Sequence, residues 1–154
     1  MPSSCRMTPR EFRQLHAIPF DIKARTRRIQ QLEAKQAEGP ELVADVVKSS
    51  CGDGNACILG HATVRGTADS VYARRESEIK KLKARNAELD ALYIEGQRIV
   101  ETCDDIMLRA AISDICILGK KPQEVAVELM EFGCDLDADT IRRRVDRWVE
   151  QNVT

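Results

Sequence analysis

Apolar residues recur at three- and four-residue steps through Leu15, Ile18, Ile22, Ile29 and Leu32, with charged and polar residues between them. This is the period of an amphipathic helix. Its start is marked by Thr8-Pro9-Arg10-Glu11: Thr8 can cap, Pro9 suits the first helical position and Glu11 can close a capping box. Pro19 should kink this helix or divide it in two, and Gly39-Pro40 should end it. A second periodic stretch runs from near Ala68 towards Cys103. With Ile79 at heptad position a, the seam continues through Leu82, Asn86, Leu89, Tyr93, Gly96, Val100 and Cys103. That spacing predicts a long coiled-coil-like helix with one asparagine on the seam. Its outer face, "ESEIKKLKARNAELD", alternates in charge and reads as solvated surface.

Between the two stretches, residues 39–66 are rich in Gly, Ser, Asn and Asp, and predict an irregular loop with a small hairpin at "CILGHATV". Beyond Cys103 the pattern shortens. "DDIMLRAAISDICILG" predicts a capped helix with Ile106, Ala110, Ile112 and Ile115 facing a core, closed by Gly119. A further helix starts at Pro122 and buries Val125, Ala126 and Leu129; "EFGCDLDAD" is a turn. The last helix starts near Asp139 and buries Ile141, Val145 and Trp148. The expected fold is therefore all-α. A long antiparallel helical hairpin (residues 8–103) would precede a three-helix helix-turn-helix unit (residues 104–154).

Composition sharpens this picture. Aromatic residues make up only 4% of the 154-residue chain and charged residues 32%, which favours long helices over a β-rich core. No apolar run approaches the ~20 residues that span a bilayer. The N-terminus lacks the apolar core of a signal peptide, so no membrane association and a cytoplasmic location are expected. Six cysteines are then expected to be free thiols. Cys51, Cys57 and His61 are spaced too widely for a zinc knuckle, and the only other histidine is His16, so no metal and no other cofactor is expected. Nor is a catalytic residue: no Gly-rich phosphate loop and no nucleophile–histidine pairing is present.

Charge is distributed unevenly. Residues 1–38 sum to +4 and residues 104–154 to −4, within a formal total of −1. Nucleic-acid binding would thus depend on a local cluster rather than a general attraction. One exists: four arginines in the six positions 142–147. With Ile141, Val145 and Trp148 inward, Arg143 and Arg147 point outward, and Arg142 and Arg144 flank them. Asp139, Asp146 and Glu150 share that face at three- or four-residue spacing and are expected to pair with these arginines. A phosphate-contacting helix and a self-paired solvated face both remain open.

Three blocks, "DVVKSS" (45–50), "VRGTADSVYARRESEIKKLKAR" (64–85) and "PQEVAVELM…DADTIRRRVDRWV" (122–149), resemble a family of small Firmicutes phage proteins. Their C-terminus is similar to region 4 of sigma factors, and they are grouped with RinA- and ArpU-like late transcription regulators. Lys121-Pro122 stands where the family commonly carries a tryptophan. The resemblance implies a non-enzymatic regulator in the host cytoplasm that docks on DNA through Thr140, Arg142, Arg143 and Arg147, with host RNA polymerase or another host protein as a further partner. The competing reading is a protein-interaction module: a coiled-coil adaptor, a small-terminase-like component or an inhibitor of a host defence protein.

A seam of Ile79, Leu82, Leu89 and Val100 is costly to leave wet, at up to ~1.5–3 kcal/mol per large side chain. A homodimer with Asn86 setting the register is expected, the alternative being that the first helix covers the seam within one chain.

Overall fold

The fold begins at Thr8, whose hydroxyl accepts the Glu11 N–H (3.2 Å) while the Glu11 carboxylate accepts the Thr8 N–H (2.8 Å). This capping box starts α1 (Pro9–Arg13), and a 3₁₀ turn (Leu15–Ala17) leads into α2 (Ile18–Ala37). The interruption follows from Pro19. Its ring would clash with the carbonyl four residues earlier, so a new helix starts at Ile18 with Pro19 in its first turn. Gly39 follows α2 at φ +83°. The computed structural model describes residues 6–39, 42–48, 61–67 and 69–154, with backbone alone for 42–48, 61–67 and 69.

The fold is all-α apart from a two-stranded ribbon. β1 (Leu42–Lys48) and β2 (His61–Thr67) pair antiparallel, from Leu42 opposite Thr67 to Lys48 opposite His61. This corrects the irregular loop expected at 39–66 and the short hairpin at 57–64. The β-branched pieces "LVADVV" and "HATV" pair with each other across a longer connection. Cys51 and Cys57 lie outside the described residues. α3 (Asp69–Glu101) is one uninterrupted helix, followed by α4 (Ile106–Ile112), a π turn (Ser113–Ile117), α5 (Pro122–Glu131) and α6 (Ala138–Asn152).

Backbone contacts divide the chain into two units: residues 1–26 with 84–154, and residues 27–83. The division therefore does not fall at residue 103, where the sequence pattern changes. In the second unit Ile29 and Leu32 are buried, and Ile79 and Leu82 are half-buried. Around them Arg28 meets Glu78 (3.3 Å), Lys83 meets Glu33 (2.6 Å) and Gln36 donates to the Tyr72 carbonyl (3.1 Å).

The first unit draws its core from both ends of the sequence. Met7, Phe12, Leu15 and Ile18 pack with Leu89, Val100 and Cys103 of the α3 end, and with the buried faces of α4 to α6. Phe12 and Leu15 are fully buried. The Phe12 ring lies 6.1 Å from that of Trp148, tilted by 48°. The α6 stripe is Ile141, Val145 and Val149; Trp148 sits half-buried at its edge rather than within it.

α4 also differs from expectation, since Ile106 is 69% exposed and Ala110 is exposed, whereas Ala111, Ile112, Cys116 and Ile117 are buried. Asp105 caps the helix by accepting the Met107 and Leu108 N–H groups, which fixes Ile106 in the outward first turn. The π turn then adds a residue to the phase, so Ile112 and Ile117 come onto one side.

The α3 seam closes within one chain in this unit. Leu89, Val100 and Cys103 join the core, and Gly96 lies against Leu15. Asn86 donates to the Thr26 hydroxyl of α2 (3.3 Å), and its carbonyl oxygen is buried without a partner. The apolar surface expected to pair two protomers at Leu89 and Val100 is thus already covered. The alternative, a seam met by the chain's own first helices, describes this unit.

Two substitutions test this packing. Phe12→Ala should cost about 3–5 kcal/mol, because it empties the centre of a core formed mainly by residues 84–154; urea denaturation measures it. Gly96→Ala ordinarily strengthens a helix interior. Here the new methyl would overlap the buried Leu15 side chain, so a loss of about 1–3 kcal/mol is expected in the same measurement. A stabilised Gly96→Ala protein would contradict this packing.

Candidate nucleic-acid interface

α6 is started by Asp137, whose extended backbone and side-chain carboxylate take up the Thr140 N–H at 3.2 Å. The hydrogen bonds from Thr140 hold the Asp137 carboxyl below its ordinary value, with Arg143 adding an electrostatic contribution. Thr140 was expected near a phosphate. Its N–H is instead committed to a carboxylate, and the negative cap occupies the helix start that an anion would need.

The arginines divide by their partners. Arg142 meets Asp139 one turn back at 3.7 Å. Arg143, Arg144 and Arg147 are exposed, and among the described residues they have no ion pair. Arg143 and Arg147 lie on the side of α6 opposite Ile141, Val145 and Val149.

The acids expected to neutralise them are engaged elsewhere. Arg13 Nε meets Asp146 at 3.2 Å, and its terminal nitrogen meets Glu150 at 2.7 Å. The Glu150 hydrogen bond is the main reason the Arg13 guanidinium binds its proton more tightly than usual, with Asp146 adding to it. Arg13 reaches them because its neighbour Phe12 is locked in the core beside Trp148.

No local pattern pointed to Arg13. The pairing joins residues 133 and 137 positions apart, beyond the reach of any helical spacing rule. The burial of Val149 was legible, since Ile141, Val145 and Val149 keep a strict four-residue step.

Other chemistry is sparse. Among the described residues, no group of three His, Cys, Asp or Glu side chains is arranged to hold a metal ion. Burial pushes the Cys116 thiol up to about 12, and Cys103 is also buried, so both behave as small apolar groups. His16 accompanies the 3₁₀ turn, with Nδ1 3.1 Å from the Arg13 carbonyl. Among the described residues no helix is long and apolar enough to cross a membrane. Compared with known proteins, the chain matches no family model, no curated protein and no solved structure.

The cap gives α6 a defined pH response. A carboxyl held below its ordinary 3.8 stabilises the fold fully above that value, and the contribution disappears as pH falls through the depressed one. Amide exchange in the first turn of α6 should therefore accelerate in acid. Asp137→Asn should keep the cap and remove that acid dependence; an unchanged profile would assign it to another group.

Proposed function

We propose that the chain is a non-enzymatic DNA-binding regulator in which α5, the turn and α6 act as a helix-turn-helix, with α6 lying against the duplex. The reading keeps the likeness to phage late-transcription regulators, and with it a place in the host cytoplasm and RNA polymerase as a further partner. One observation carries it. Arg13 draws Asp146 and Glu150 aside, leaving Arg143 and Arg147 exposed, one helical turn apart and with no ion pair among the described residues. Two cations at that spacing suit successive phosphates, or one phosphate and one guanine edge. Arg142, paired with Asp139 at the longer 3.7 Å, can exchange that partner for a phosphate.

The test is fluorescence anisotropy on a generic duplex across a salt series. Arg143→Ala and Arg147→Ala should each weaken binding and flatten the salt slope by about one unit. Arg13→Gln should also weaken binding, because it returns two carboxylates to the face, while Asp146→Asn should tighten it. Circular dichroism checks that each variant folds. No binding at low salt by the intact chain would overturn the proposal.

A specific observation favours a second reading, that of a protein-interaction module. Val127, Met130 and Phe132 are exposed on and just after α5, Phe132 at 82%. Loss of protein capture on Phe132→Ser, with DNA binding absent throughout, would establish that reading in place of the first.

A further inference from the structure

Beneath the turn that leads into α6 lies a pocket of about 200 Å³. Its walls are Met107, Leu108 and Ala111 of α4, Leu129 of α5, Leu136 of the turn and Ile141 of α6. An apolar cavity of about 150 Å³ is large enough to take up benzene. This one is larger, opens to solvent, and carries two ionisable side chains, Asp105 and Arg144.

The two charges are not equivalent. One Asp105 carboxylate oxygen accepts the Met107 and Leu108 N–H groups at 3.0 and 3.2 Å, so this acid is committed to starting α4. Arg144 has no ion pair among the described residues, and its planar fork can take a carboxylate through two parallel hydrogen bonds. The Cys134 sulfur, also in the wall, offers a polarisable contact to an aromatic ring. An apolar chamber with one uncommitted cation at its edge selects a ligand with a small apolar body and a single negative group.

We propose that this pocket binds a small aromatic or branched aliphatic monocarboxylate, its apolar part between α4, α5 and the turn and its carboxylate on Arg144. Such a ligand touches α4, the turn and α6 together, so its binding ties the start of α6 to the core. The proposal does not depend on α6 meeting nucleic acid, because Arg143 and Arg147 lie outside the pocket lining.

Amide NMR titration of the full chain with phenylacetate, phenylacetamide and acetate tests it. Phenylacetate should shift resonances at 105–111 and 134–144. Phenylacetamide should bind about tenfold more weakly or worse, having lost the charge-assisted pair, and acetate should leave the pocket unshifted. Arg144→Gln, an exposed substitution outside the core, should lower phenylacetate affinity to that of the amide and leave the amide unchanged. Ala111→Leu should fill the chamber and abolish both; if it fails to fold, Cys134→Met fills the same space from the turn. No pocket shifts with phenylacetate, or shifts undiminished in Arg144→Gln, would overturn the proposal.

Discussion

Phe12 is the contact on which the first unit depends. It lies in a five-residue helix, too short to persist alone, and it is held by full burial beside Trp148. That burial brings the start of the chain into a core otherwise made from residues beyond 84. Three consequences follow from it. Leu15 is carried against Gly96, Met7 is buried nearby, and Arg13 is delivered to two carboxylates of α6.

The arginine contacts differ in kind from the burial that positions them. Arg13 and its acids are substantially solvated, and exposed pairs of this sort contribute little to folding stability. Their effect is on where charge stands. Asp146 and Glu150 lie on the same helix as Arg143 and Arg147, at spacings that would permit pairing. A third cation from a distant segment decides the competition and moves the balance of the outer α6 face towards positive. A chain of net charge −1 can thus hold a local cationic surface without a basic composition.

Much of this was legible in the sequence where local rules decide. The Thr8 box, the break at Pro19, the single α3 helix and the starts of α5 and α6 follow from capping, proline sterics and periodicity, each acting within a few residues. The heptad seam was also read correctly as a set of positions. Periodicity identifies an apolar stripe but not what covers it, and in the first unit Leu89 and Val100 are met by the chain itself. The α4 face was misread because a π turn adds a residue where a uniform 3.6-residue period allows none. The strands were only partly read: "HATV" was assigned to a local hairpin with "CILG", whereas it pairs with β1, which lies before the Gly-rich stretch. The candidate interface was half legible: the outward arginines follow from helix geometry, while the partner of their competing acids is a long-range contact.

α6 is held in more than one way. Its inward residues fix its position, Asp137 fixes its start, and Arg13 fixes charges in its second half. A gap in the packing lies beneath the turn, where Leu136 and Ile141 line a pocket with the α4 wall. Ile141 is nonetheless as deeply buried as Val145 and Val149, so the gap lies beside a seated side chain. The cap and the pocket therefore act on the same end of the helix, one through charge and the other through volume. Arg143 stands within that end, two residues past Ile141, whereas Arg147 stands one turn further along.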